Sequence, residues 1–303
     1  MALPQDRPAD APDPSAERAA NAPTATLVSC LMVTLANDAR VPFACRAVAD
    51  YCRQTHPVRE LVIVLDRGST SGRKALLDYV QDLERPDIRV FDGKPATSLG
   101  GLRNRSRVHA RGSVLCQWDD DDMHHPERVA RQLHALDARG SEAVCLEETM
   151  QYFPAAKHLY CINWRATKAR SLPGTIMLRA AAPVSYPETG PESERGEDTA
   201  ILDQLHARQL VAVLAGTPYL YVYVSHGANT WSADHHVMLS DTLAISQALL
   251  KRREALLRAG LAPFSFPPDG IVVTGYNGPA FRLEAGTSAA PPAGTSRTII
   301  PSR

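Results

Sequence analysis

Leu61-Val62-Ile63-Val64-Leu65-Asp66-Arg67-Gly68-Ser69 is the stretch on which the fold turns. Five apolar residues in a row read as a strand buried on both faces, the pattern of a parallel sheet rather than of a half-solvated strand. The run stops at Asp66, and the Asp-x-Gly-Ser that follows is good turn chemistry. Upstream, Leu27 to Leu35 is a short β-rich run. Between them, Phe43 to Gln54 places Phe43, Ala47, Val48, Tyr51 and Cys52 on one helical face. Downstream, Ser71 to Leu83 reads as a helix, Ile88 to Phe91 as a strand, Leu99 to Ala110 as a helix and Ser113 to Trp118 as a strand. Pro126 opens a further helix with Val129, Leu133 and Leu136 on its core face.

Strictly alternating strands and helices predict an α/β fold with a mostly parallel sheet flanked by helices. Ligands of such sheets bind beyond the carboxyl ends of the strands, where Asp66 and Asp119 both fall. After Ala143 the pattern is less regular, as in a smaller mixed region. Strands are expected at 143–153, 158–163, 175–178, 210–214 and 219–224, and a helix at 197–208. The segment 226–231 follows, and Val237 to Ala259 reads as one long terminal helix. Residues 1–25 and 283–303 are rich in Pro, Ala, Ser, Thr and Gly and read as disordered tails. The single domain expected between them, 26–282, divides into a regular half, 26–142, and a less regular half, 143–282.

Lys plus Arg and Asp plus Glu are both 33, and this balance argues against nucleic acid as a partner. Cys30, Cys45, Cys52, Cys116, Cys145 and Cys161 form no C-x-x-C pair and read as free, buried thiols of a reducing compartment. No apolar stretch reaches the length of an integral membrane span, although peripheral membrane association remains compatible with the sequence. The start of the chain lacks the layout of a signal peptide. The expectation is a cytoplasmic enzyme.

Asp119-Asp120-Asp121-Asp122 stands directly after the Ser113–Trp118 strand. Two carboxylates about 5 Å apart repel by roughly 3 kcal/mol at an effective dielectric near 20. A divalent cation reverses that repulsion, and hard oxygen donors suit Mn2+ or Mg2+. One aspartate would suffice to cap the next helix; four would not. An EF-hand loop is excluded, because Met123, His124 and Ala130 stand where Asp or Asn, Gly and Glu are required. His124 and His125 are read as solvent-facing or helix-capping.

The sequence here resembles glycosyltransferase family 2, inverting enzymes with the nucleotide-binding, Rossmann-like GT-A fold. Four blocks carry the resemblance: Leu61 to Ser69, Gly101-Leu102-Arg103-Asn104-Arg105, Gln117-Trp118-Asp119-Asp120-Asp121-Asp122 at the place of the D-x-D motif, and Gly196-Glu197-Asp198-Thr199. It implies Asp66 on the base of a UDP- or dTDP-sugar, Arg103 near the nucleotide or diphosphate, and Asp119 by the ribose and metal with Asp120 in the same nucleotide-sugar site. It further implies Asp121 as the metal ligand and Asp198 as the catalytic base. His226-Gly227-Ala228-Asn229-Thr230-Trp231 resembles the family's closing segment, with His226 completing the metal or diphosphate site. Trp231 serves either as a stacking platform for an acceptor sugar or as core, and core is preferred. The chain departs from the pattern at Arg67, where a second aspartate is usual, and at Met32-Val33-Thr34-Leu35 in the first strand.

The function implied is metal-dependent transfer of a sugar from a nucleotide-diphosphate donor to a glycan or other hydroxyl acceptor, with inversion. Two alternatives are a sugar-nucleotide nucleotidyltransferase and a non-catalytic nucleotide-sugar or glycan-binding module. Ala36-Asn37-Asp38-Ala39-Arg40 argues against the first, since it offers no glycine loop to admit a triphosphate. The stretch from Gln151 to Glu194 carries no readable motif.

Overall fold

The computed structural model describes residues 26–93 and 97–284, so the two expected tails lie outside the described residues apart from Leu283 and Glu284. Two sheets form the frame. The first has seven strands in the order β10-β6-β9-β4-β1-β2-β3, where β1 is Val28–Thr34, β2 Arg59–Leu65, β3 Ile88–Asp92, β4 Val114–Gln117, β6 Ala143–Leu146, β9 Met177–Arg179 and β10 Val211–Leu214. All its pairings are parallel except those of β9, which runs antiparallel between β4 and β6. The mostly parallel α/β architecture is therefore as expected.

Side-chain alternation explains why this sheet is buried on both faces. Leu61, Ile63 and Leu65 enter one core cluster with Cys30 and Met32, whereas Val62 and Leu31 enter another on the opposite face. The first face is covered by α1 (Val41–Cys52), α2 (Thr70–Asp82) and α4 (Arg128–Ala138), through Ala47, Tyr51, Leu76, Val129 and Leu136. The second is covered by α3 (Leu99–His109) and by α5 (Glu197–His206), which contributes Ile201, Leu202 and Leu205. Two helix starts are local sequence signals: Ser69 accepts from the Gly72 amide at 3.0 Å and Ser98 from Gly101 at 3.2 Å.

The second sheet, in the order β13-β12-β8-β7-β11-β5, is mixed. Its strands are β5 (Met123–His124), β7 (Glu148–Phe153), β8 (His158–Asn163), β11 (Tyr221–Val224), β12 (Ile271–Gly275) and β13 (Gly278–Leu283). Three readings of the sequence are corrected in this half. The expected strand 143–153 is two strands, β6 and β7, in different sheets. The chain crosses between them at Glu147, whose amide donates to Leu214 O at 3.0 Å and whose carbonyl accepts from Trp164 at 2.9 Å. The expected helix 237–259 is three helices, α6 (Ala233–Leu243), α7 (Gln247–Arg252) and α8 (Glu254–Leu261). The first break falls where Ile245 donates to Cys161 O at 3.0 Å and Ser246 caps the new helix. The β12–β13 hairpin, finally, had no counterpart in the sequence reading. Its strands are completed by pairing with β8, a partner far away in the chain.

Among the described residues no helix is long and apolar enough to cross a membrane. All six cysteines are free; four are buried, and Cys45 and Cys52 are partly so.

Candidate active site

Parallel pairing of β4 with β1 and of β1 with β2 brings three strand ends side by side, at Trp118, Thr34 and Leu65. The acidic run begins there and continues into β5. Because β5 pairs antiparallel with β11, Tyr221 and the segment from Ser225 to Trp231 are laid across the run. The run is thus held between the two sheets.

The four aspartates go to four places. The Asp119 carboxylate accepts from Arg103 at 3.0 Å, from Gln117 at 3.2 and 3.3 Å and from the Tyr221 hydroxyl at 3.1 Å. Asp120 turns inward, taking the Thr34 hydroxyl at 2.6 Å and Arg40 at 2.5 Å. Asp121 lies 3.0 Å from Arg40 and 2.9 Å from His226 Nε2, and its carbonyl accepts from Arg46. Asp122 is buried, accepting from the Val224 amide at 2.8 Å and from Tyr221.

Crowding sets their electrostatics. Burial, then the charge of Asp121, pushes Asp120 up to about 6 against the pull of Arg40. Burial and the charges of Asp121 and Asp119 hold Asp122 well above the usual carboxylate range. Burial also acts to raise Asp121, but the His226 hydrogen bond and Arg40 outweigh it and keep it ionised.

Asp198 opens α5. Gly196 precedes it in a left-handed conformation, φ +85°, which glycine adopts without strain. Glu197 takes the Arg103 Nε at 2.6 Å, so Arg103 ties the acidic run to α5. Asp198 Oδ1 accepts from the Thr199 amide at 2.7 Å, while among the described residues Oδ2 accepts no hydrogen bond. Burial, then the neighbouring charge of Glu197, raises Asp198 to about 7, with Arg103 opposing. Gly174 lies beneath both carboxylates: a Cβ there would stand 3.0 Å from Asp119 Oδ2 and 3.6 Å from Asp198 Oδ2.

Two cavities meet at this point. An acidic cavity of about 250 Å³ is lined by Asp66, Arg40, Arg103, the whole acidic run, Glu197 and Asp198. An aromatic cavity of about 350 Å³ is lined by Trp164, Tyr221, Tyr223, His235, His236, Leu172 and Pro173. Asp119, Asp198, Tyr223 and Trp231 line both.

Asp66, Arg103, Asp119, Asp120, Asp121 and Asp198 line the acidic cavity, and His226 reaches it through Asp121. Asp66 lies at the far wall of the acidic cavity with its carboxylate 3.8 Å from Arg67 Nε. Two expectations fail. Trp231 is not core: it is 42% exposed, stacks on His235 and lies under Arg195. His124 and His125 are not solvent-facing, being 0% and 6% exposed. His124 stacks on Trp118, and His125 accepts from the Glu127 amide ahead of α4. Sequence reasoning missed Arg40, Tyr221, Tyr223 and Gly174. The alternating tyrosines of β11 were the one available signal; the others depend on contacts distant in the chain.

No group of three or more His, Cys, Asp or Glu among the described residues converges as a closed metal site. The donor set nevertheless fits an ion whose shell a substrate completes. Mg2+-type ions are commonly held by one or two carboxylates plus substrate phosphates. Asp121 and His226 present two donor atoms 2.9 Å apart, about the spacing of neighbouring ligands at octahedral bond lengths of about 2.1 Å. The His226 Nδ1 accepts from Ala228 at 3.3 Å, which leaves Nε2 as the proton donor to Asp121. Ligation through Nε2 requires the other tautomer.

Residues 31–151 match the family model described as Glycosyl transferase family 2. Over this segment the chain is similar to that family. The match covers β1 to β7 and the acidic run, but neither Asp198 nor His226. Solved structures extend the likeness in fold. S. aureus TarS 1-349 in complex with UDP-GlcNAc is 14% identical at a TM-score of 0.53, over 79% of this chain and 68% of that one. The mannosyltransferase PcManGT from Pyrobaculum calidifontis, in complex with GDP-Man and Mn2+, is 13% identical at a TM-score of 0.51, over 80% and 70%. No curated protein matches by sequence. The chain thus has the fold of these glycosyltransferases, GT-A, and over 31–151 is similar in sequence to family 2.

Proposed function

We propose that this glycosyltransferase moves a sugar from a nucleoside-diphosphate donor to an acceptor hydroxyl with inversion, using Asp198 as general base. The observation that carries the reading is the position of Asp198 between the two cavities, with one carboxylate oxygen unengaged among the described residues and an affinity for protons near neutrality. A base works best when its pKa lies near the operating pH.

The nucleotide occupies the acidic cavity, its base toward Asp66, its ribose toward Asp119 and Asp120 and its diphosphate toward Arg103. UDP- or dTDP-sugars are the donors to test first. GDP-sugars follow, since a chain of the same fold holds GDP-Man. The acceptor, a glycan or another hydroxyl compound, enters the aromatic cavity. Its hydroxyl oxygen attacks the anomeric carbon from the face opposite the diphosphate, and Asp198 takes its proton. The bond to the diphosphate breaks with its electron pair on the phosphate oxygen. Asp121, with His226, would hold Mn2+ or Mg2+, which when bound neutralises charge on the departing diphosphate.

Asp198→Asn tests the base. Transfer should fall by about 10²–10⁴-fold while UDP affinity is kept. Transfer at the wild-type rate would refute it. NMR of the product should show inverted anomeric configuration; retention contradicts the mechanism.

A further inference from the structure

Behind the acidic run lies a cation that the mechanism above does not use. Arg128 is 0% exposed and has no carboxylate within salt-bridge distance among the described residues. Its guanidinium donates only to neutral acceptors: Gln117 O at 2.9 Å, Gln132 Oε1 at 3.0 Å and His124 Nδ1 at 2.6 Å. It lies over Trp118 at 5.3 Å and over Tyr221 at 4.8 Å. Leaving a buried charge without a counterion is costly, and well-packed apolar replacements of buried ionic groups are often neutral or stabilising. Stability alone is therefore a poor reason for an arginine here.

Its contacts lead to the site by three routes. Because His124 Nδ1 accepts from Arg128, the imidazole carries its proton on Nε2, which donates to the Asp119 carbonyl at 3.0 Å. Tyr221, packed on the guanidinium, gives its hydroxyl to Asp119 and Asp122. Gln132, gripped through Oε1, donates to Thr175 O at 2.7 Å, next to Gly174. Two of these routes, through His124 and Tyr221, end on Asp119 itself, and the third ends beside Gly174.

We infer that Arg128 is a positioning residue: a buried cation that fixes the acidic run from behind, through His124 and Tyr221, and so prepares Asp119 for the nucleotide. The inference rests on the nucleotide-binding reading of the acidic cavity. The test compares wild type with Arg128→Met, which keeps bulk but removes charge and donors, and Arg128→Lys, which keeps the cation. UDP and GDP affinity are measured by calorimetry, with and without Mn2+, beside the thermal melt of each variant. The Met variant should melt at or above the wild-type temperature yet lose about tenfold in nucleotide affinity, as losses of supporting hydrogen bonds typically do. The Lys variant should recover part of the loss. Wild-type affinity in Arg128→Met overturns the inference, as does an affinity loss accompanied by a lowered melt that Lys leaves unrelieved. If the Met variant does not fold, His124→Phe replaces it. That change keeps the stack on Trp118 and removes the hydrogen bond to Asp119, and its unchanged affinity is equally fatal. Failure of the underlying reading looks different, because wild type itself would then bind neither nucleotide.

Discussion

The acidic cavity and the aromatic cavity share Asp119, Asp198, Tyr223 and Trp231, yet the chain builds them in opposite ways. The first gathers Asp66, the acidic run, Glu197 and Asp198 around Arg40 and Arg103, so charged groups make up about half of its lining and several are already paired. The second is walled by Trp164, Tyr221, Pro173 and Leu172, with Thr149, Gln151, Ser171 and Lys168 among its polar groups. One handles charge and the other handles surface. A reaction that separates charge on a diphosphate while admitting a neutral hydroxyl needs both, joined where the proton is removed.

That division can be broken most severely at Asp121. Replacing Asp121 by Ala should abolish the metal dependence of UDP binding, a loss of ~10²-fold or more in affinity with Mn2+ present. Binding that ignores both the ion and the substitution would end the metal assignment. Gly174→Ala strikes the shared floor. A methyl 3.0 Å from Asp119 Oδ2 makes that carboxylate give by a few tenths of an ångström. Misplacement of this kind costs ~10-fold to 10²-fold in kcat/KM, readable in a transfer assay, whereas a silent variant would show the floor to be slack.

Trp164→Ala sharpens the contrast from the other side. Trp164 lines only the aromatic cavity and is anchored by donating to Thr149 at 2.9 Å. Its loss should raise the acceptor KM by up to about tenfold and leave UDP affinity unaltered. A matching fall in UDP affinity would mean that the two cavities are not separate in role.

The smallest effect concerns stability. Asp198 is raised from 3.8 to about 7 in the fold. Below the unfolded value both states carry the proton, and the group is neutral in its effect. As pH rises from there through 7, the unfolded chain releases its proton first, so the folded state loses stability relative to it. Asp198→Asn removes that penalty. Its melting temperature should equal wild type below about pH 3 and exceed it by several degrees at pH 8. A difference independent of pH would show that Asp198 titrates normally.

The same contrast runs through what could be read from the chain. β1, β2 and β4 with their helices are legible because burial on both faces forces apolar runs, and a strand end with turn chemistry is a local signal. The acidic run and Glu197-Asp198 are legible because adjacent carboxylates are improbable without a partner. Trp231 and His124 were misread, since the alternative fates of an aromatic or imidazole side chain differ only in what packs against it.

By itself the sequence determined the parallel sheet, the edge on which ligands would gather and the carboxylates that stand there, all consequences of patterns within a few residues. Only the tertiary structure decided how those carboxylates divide their work. The pairing of β5 with β11 delivers Tyr221 and His226 to the run, Arg40 and Arg103 choose among its members, and Arg128 is buried behind it. Charges and hydrogen bonds act over a few ångströms in space, and in this chain those neighbours are up to 105 residues apart.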